Sequence, residues 1–205
     1  MPTRPWIRRL VVAELIAIAV VLLVTGWFYW RSRATTLNGV ELDPPQDIPS
    51  VTLQGSDGQS HTLGDFRGKL VVVFFGYTHC PDVCPTTAST MARARALLGE
   101  EADRVQLVFV SVDPERDTPE RLASYLAKYD PSFLGLTGDE TTIRQLATTF
   151  GVHYAKVESN SALGYLVEHT SSTFVLDTRG RLRAVLPFGL TPEQVASDLR
   201  ALLTS

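Results

Sequence analysis

The 205-residue chain has only two cysteines, no internal repeat, and no basic block beyond its first nine residues. The absence of a repeat excludes solenoid and propeller arrays. Its 14 Gly and 12 Pro follow no period, which excludes collagen-like and low-complexity chains. With 19 basic against 22 acidic residues and a formal charge of −3, nucleic-acid binding has no electrostatic footprint. A content of 44% hydrophobic and 20% charged residues excludes a largely disordered chain. The length allows one ordinary domain and little else.

The composition is uneven. Residues 10–30 carry a single charge, Glu14. As a helix, such a run spans ~31 Å, against a hydrocarbon core of ~30 Å. Trp27, Tyr29 and Trp30 sit at its end, where an interfacial belt belongs. The alternative is a cleaved signal peptide with a small-residue site at 24–26, but the run exceeds the usual core of ~7–15 residues. No cysteine lies near it, which excludes a lipoprotein anchor. Arg4, Arg8 and Arg9 precede the run, and Arg31 and Arg33 follow it. That bias places the N-terminus in the cytoplasm and the remainder outside. No Arg- and Ser-rich extension precedes the run, so the expected location is a bacterial inner membrane with the domain in the periplasm. The expected organisation is a cytoplasmic N-terminus at 1–9, a transmembrane anchor at 10–30, a Pro-containing linker at 31–50 and a folded domain at 51–205. Without residues 1–30 the chain loses three Arg and Glu14, leaving 16 basic and 21 acidic residues and a formal charge of −5.

Beyond the linker, strand and helix signals alternate. Residues 51–53 and 60–63 flank Gly55-Ser56-Asp57-Gly58 and read as a hairpin. Residues 70–75 and 105–112 are continuous apolar runs, the pattern of strands buried on both faces. Helices are predicted at 86–98, from the Thr118 cap to about 129, at 139–150, and from the Thr191-Pro192-Glu193-Gln194 capping box to 203. Residues 133–136 form a short apolar piece, 154–157 a strand and 158–164 a polar loop. Residues 173–176 and 182–186 pair across Asp177-Thr178-Arg179-Gly180. This order predicts an α/β thioredoxin-like mixed sheet flanked by helices, with the reactive cysteines after the first buried strand.

Both cysteines fall in Cys80-Pro81-Asp82-Val83-Cys84, read as a strand-to-helix loop. Three readings stay open. A structural disulfide closing so small a loop gains little stability. A redox dithiol suits a helix N-terminus, whose dipole lowers thiol pKa. The usual redox spacing has one residue fewer, however, and no X-Pro occurs between Pro131 and Pro187 to supply the partner proline. A metal site needs a further ligand, since two thiolates select soft copper(I) or zinc and structural zinc takes four ligands. That ligand must be a histidine. His61 sits in the early hairpin, His79 points away from the adjacent sulfur, and His153 follows a helix end. His169 precedes a buried strand and would reach the cysteine loop. Asp82 reads as a solvated turn residue. Asp113, Arg116 and Asp117 read as caps and loop hydrogen bonding, and Arg181 and Arg183 as a solvated strand edge.

Gly76-Tyr77-Thr78-His79-Cys80-Pro81-Asp82-Val83-Cys84-Pro85 resembles the copper-site loop of the Sco (SenC) family. Ser111-Val112-Asp113-Pro114-Glu115-Arg116-Asp117-Thr118-Pro119, Leu134-Gly135-Leu136-Thr137-Gly138, and Tyr165-Leu166-Val167-Glu168-His169-Thr170 leading into Phe174-Val175-Leu176-Asp177 resemble its further motifs, in family order. The resemblance implies a thioredoxin-like fold with Cys80, Cys84 and His169 as ligands of copper(I), copper(II) or both. It also implies a role in assembling the binuclear copper site of cytochrome c oxidase subunit II. Family members commonly carry Asp at the positions of Gly164 and Glu168. Glu168 keeps the charge on a longer arm, and Gly164 drops a carboxylate.

The expectation is therefore a membrane-anchored copper chaperone rather than an enzyme. Its partners would be the oxidase subunit or another copper acceptor, and a thiol reductant. Three ligands hold copper yet leave it open to an acceptor, and each cysteine must lose a proton to bind it. In an oxidising compartment the pair can close to a disulfide that binds no copper, so a reductant controls loading. The alternative is a thiol-disulfide oxidoreductase using Cys80 and Cys84 on partner cysteines.

Overall fold

A computed structural model describes residues 5–31, 37–158 and 164–204, and in the first helix it describes side chains for 12–27. The chain forms two compact units, Met1–Thr36 and Leu37–Ser205. In the first unit, α1 runs Pro5–Arg31. Among the described residues no helix is long and apolar enough to cross a membrane. The described side chains of α1 cover only ~24 Å of helix, less than a ~30 Å hydrocarbon core. The span expected at 10–30 runs past them at both ends.

The second unit is the mixed α/β thioredoxin-like domain. Its strands are β1 (Val40–Gln46), β2 (Leu53–Gly55), β3 (Ser60–His61), β4 (Leu70–Gly76), β5 (Val105–Ser111), β6 (Leu134–Thr137), β7 (Tyr154–Val157), β8 (Leu166–His169), β9 (Thr173–Leu176) and β10 (Leu182–Leu186). Its helices are α2 (Val83–Leu97), α3 (Pro119–Leu126), α4 (Glu140–Thr149) and α5 (Pro192–Thr204). Among the described residues, eight strands form one sheet in the order β1-β10-β9-β4-β5-β6-β2-β3, and β7 and β8 form a separate ribbon. β4 is buried at all seven positions because it is central, parallel to β5 on one side and antiparallel to β9 on the other. Phe75, Phe150 and Phe174 meet in its core at centroid distances of 5.2–6.0 Å. Each such ring contributes ~1.5–3 kcal/mol of burial free energy.

The β4–β5 register ends with Gly76 opposite Ser111. The loops that follow these strands therefore leave the sheet side by side at its carboxyl edge, the usual place for a site in an open α/β sheet. Helix ends fall at their chemical signals. Thr118 caps α3 by accepting from the Arg121 N–H, and Asp139 caps α4 by accepting from Thr142. Thr191 and Gln194 complete the reciprocal box that opens α5. Gly151, at φ +67°, lets the chain leave α4 in a left-handed turn that other residues resist.

Four expectations need correction. The linker at 31–50 contains β1, which pairs antiparallel with β10. Its Pro44-Pro45 pair reads as a breaker in sequence. It is tolerated because β1 is an edge strand whose register shifts between Glu41 and Gln46. Because β1 covers β10, Arg181 and Arg183 are not a solvated edge: they pair with Asp177 and Glu41. α2 begins at Val83 rather than 86, since Pro85 fits a first helical turn, so Cys84 lies in a helix and not in a loop. α3 ends at Leu126, shorter than its pattern predicts. Most of the polar loop at 158–164 lies outside the described residues, except Glu158 and Gly164.

Candidate metal centre

The site assembles where β4 gives way to α2. Cys80 is half-buried in the connecting loop, and Cys84 is fully buried in the first turn of the helix. The first-turn N–H groups of a helix have no partner within it. Here the Cys84 N–H donates to Cys80 Sγ at 3.4 Å. Gly76 makes room for the second sulfur: a Cβ there would lie 3.0 Å from Cys84 Sγ and 2.8 Å from the Phe74 ring.

The third member arrives from the β7–β8 ribbon. His169 ends β8, paired with Tyr154, and its ring stands edge-on to Phe74 and Tyr77 at 5.9 and 6.0 Å. Its Nδ1 lies 3.0 Å from the Thr170 carbonyl oxygen, which can only accept. Nδ1 therefore donates to it, which aims Nε2 at Cys84 Sγ, 3.3 Å away. The ligand atoms of Cys80, Cys84 and His169 all lie within 4.8 Å of one another. Each residue singled out in the sequence for this chemistry thus reaches the same point.

The two thiols are pushed in opposite directions. The Cys84 thiol beside it holds Cys80 down at about 4. Burial opposes this, while His169 and the backbone N–H groups of Cys84 and Asp82 add to it. Burial pushes Cys84 up, and the neighbouring Cys80 sulfur pushes it further. At neutral pH the pair is one thiolate and one thiol, with the Cys84 proton directed at the Cys80 sulfur. A soft cation that displaces that proton meets two sulfurs and one imidazole.

The other histidines stand apart from this point. His61 bonds Asp57 in the β2–β3 turn. The His153 carbonyl accepts from the Thr170 N–H. His79 turns away from the sulfurs: its Nε2 accepts from Arg121 at 3.1 Å, and burial, with the charge of Arg121, lowers its pKa. His79, Asp113 and Asp117 also lie within 4.8 Å of one another. Their oxygens are already engaged by Arg116, Tyr165, Thr78 and Ser111, which leaves a cation no free carboxylate. The Asp82 side chain makes no capping bond to α2. Gly164 sits at φ +74°, a conformation glycine adopts without penalty.

Residue-type reasoning missed the supports of the site. Gly76 and Tyr77 carried no signal beyond their neighbourhood to the cysteines. Asp113 and Asp117 do bond within loops, as expected, but both are fully buried. The available signal was a charged run placed directly after a buried strand.

Residues 43–204 match the SCO1/SenC family model. A SCO2-like protein of Rickettsia prowazekii is 37% identical over 126 residues, 61% of this chain and 62% of that protein. The copper-bound structure of Bradyrhizobium japonicum ScoI is 37% identical with a TM-score of 0.70, covering 76% of this chain and 99% of that one. The apo Sco1 structure from Thermus thermophilus is 41% identical with a TM-score of 0.67, covering 82% of this chain and 94% of that one. With the family pattern matched from β1 to the end of α5, this chain belongs to the SCO1/SenC family.

Proposed function

We propose that this protein is a copper chaperone, anchored in a bacterial inner membrane by residues 10–30. Its periplasmic domain binds copper through Cys80, Cys84 and His169 and delivers it to the binuclear copper site of cytochrome c oxidase subunit II. The observation that carries this reading is the convergence of two sulfurs and an imidazole nitrogen of His169 within 4.8 Å. Two thiolates and an imidazole suit copper(I), and the copper-bound structure of the Bradyrhizobium relative supports copper as the cargo. Three protein ligands leave the cargo open on one side, so an acceptor's ligands can add before the donor's leave. Cys80 is already a thiolate at neutral pH, and its partial exposure makes it the sulfur an incoming acceptor meets. The apolar run at 10–30 supports the anchor.

The test is a copper(I) titration of the reduced full chain against a competing chelator, in wild type and His169→Ala. The loaded protein is then mixed with the soluble domain of an oxidase subunit II. The expected result is one copper per chain, weaker binding in the variant, and transfer to the acceptor. Equal affinity in both proteins, or retention of copper by the donor, would contradict it.

The same thiols support a second reading, favoured by the half-buried Cys80 thiolate standing ahead of a buried Cys84 thiol. Cys80 would attack a partner disulfide, and Cys84 would resolve the mixed disulfide. The products are a Cys80–Cys84 disulfide and a partner dithiol. This chemistry does not need His169. Full disulfide reductase activity in His169→Ala, with no copper transfer by wild type, would favour it.

A further inference from the structure

The two halves of the site come from elements that share no strand pairing. The cysteines sit at the β4–α2 junction, while His169 rides on a ribbon whose two strands pair only with each other among the described residues. A lone two-stranded ribbon is marginally stable in water. Side chains must therefore keep the imidazole beside the sulfurs. We propose that the turn at 113–117, between β5 and α3, is the device that does so: it grips the ribbon through Tyr165 and the cysteine loop through Thr78. The proposal rests on the copper reading above.

The ribbon side of the grip is centred on Tyr165, just before β8. The Arg116 guanidinium lies 3.7 Å from the centroid of its ring, and the Lys156 ammonium of β7 lies 4.9 Å from it. The Tyr165 hydroxyl donates to Asp113 Oδ1 at 2.7 Å, and Arg116 Nη1 donates to the Tyr165 carbonyl at 3.0 Å. Arg116 Nε pairs with the other Asp113 oxygen. Glu115 reaches across to Lys156 at 2.7 Å. Ring, hydroxyl and carbonyl of one residue are all held by the same turn.

The cysteine side of the grip is Asp117. It accepts from the Thr78 N–H at 3.0 Å and from the Thr78 hydroxyl at 2.6 Å, two residues before Cys80. Ser111, at the end of β5, donates to it at 2.7 Å. Asp113 and Asp117 are fully buried. A buried carboxylate is costly unless paired, so the turn has few alternative arrangements. The Asp117 N–H closes the turn onto the Asp113 carbonyl at 3.0 Å. Both grips thus belong to one hydrogen-bonded turn, and its geometry sets the separation of His169 from the sulfurs. These are positioning residues, since none of them is in the ligand set.

The experiment measures copper(I) affinity of the full chain by chelator competition. It uses wild type, Tyr165→Phe, Arg116→Lys, Asp117→Asn and His169→Ala, and each of the first three variants combined with His169→Ala. Tyr165→Phe and Arg116→Lys are expected to weaken binding by roughly 10- to 100-fold, the usual cost of losing a group that orients a ligand. That loss should vanish in the His169→Ala background, where no imidazole remains to be held. Asp117→Asn should weaken binding in both backgrounds, because it acts on the cysteine loop. Deuterium uptake in the apo proteins should rise across residues 154–169 in Tyr165→Phe and stay unchanged across α2. Should Arg116→Lys fail to fold, Tyr165→Phe carries the test alone, since it removes one oxygen and leaves Asp113 paired with Arg116. Wild-type affinity in Tyr165→Phe, or an equal loss with and without His169, overturns the positioning role. Equal affinity in wild type and His169→Ala instead removes the imidazole from the copper site, and the proposal falls with the copper reading.

Discussion

At the scale of single residues, the site is a partition of protons. Cys80 is held at about 4 chiefly by the Cys84 thiol, and burial holds Cys84 in its protonated form. Near neutral pH, copper binding therefore releases one proton, that of Cys84, and not two. Calorimetry in buffers of different ionisation enthalpy measures this number directly. The same shift ties stability to pH. The folded-state pKa of Cys80 is depressed, so its contribution is full above the free thiol value of about 8.5 and is lost as pH falls through about 4. The stability difference between reduced wild type and Cys80→Ser, read from urea unfolding, should grow over that range. A difference that shrinks with rising pH would mean that Cys80 is not the thiolate. Gly76→Ala should cost ~1–3 kcal/mol in the same assay, because its Cβ would meet Cys84 Sγ and two aromatic rings in a packed core. The converging Cys80, Cys84 and His169 were legible in sequence because two cysteines and a histidine near predicted sheet ends are few and chemically distinctive. Gly76 was not, because a glycine needed for closeness looks like any other until its neighbours are known.

At the scale of elements, periodicity located the central strands well, since β4 and β5 are buried on both faces and read as unbroken apolar runs. It failed where tertiary partners override local signals. β1 carries a Pro pair and alternates poorly, yet it forms because β10 offers an edge and Asp198 holds the chain just before it. The fully buried Asp198 carboxylate accepts from the backbone N–H groups of Asn38 and Gly39, at 2.9 Å each, and from the Asn38 side chain. Asp198→Ala should destabilise the domain by about 1–3 kcal/mol, because it removes the charged acceptor of three hydrogen bonds from the part-buried Asn38 and Gly39, and should raise amide exchange at residues 38–46. Unchanged exchange there would show that β1 is held by its strand pairing alone. The ribbon of β7 and β8 was visible as short strands. That it stands outside the main sheet was not, because no sequence pattern says which strands pair.

At the scale of the whole molecule, the division of labour follows from composition. An apolar segment precedes a domain with excess negative charge, and the domain places one soft-ligand site at the carboxyl edge of its sheet. With the anchor read from residues 10–30, the full chain should sediment with membranes and resist carbonate extraction. Protease added from the periplasmic side should digest the domain. Release of the intact chain by carbonate would contradict the anchor and leave the copper site untouched. Fold class and site were legible together because buried strands fix where loops emerge, and the chemistry-bearing residues fall in those loops. The most direct measurement is X-ray absorption of the copper(I)-loaded full chain beside its His169→Ala variant. The account predicts two sulfurs and one imidazole nitrogen around one copper in wild type, with only the imidazole signal lost in the variant. Identical spectra from the two proteins, with sulfur alone around the metal, would contradict it.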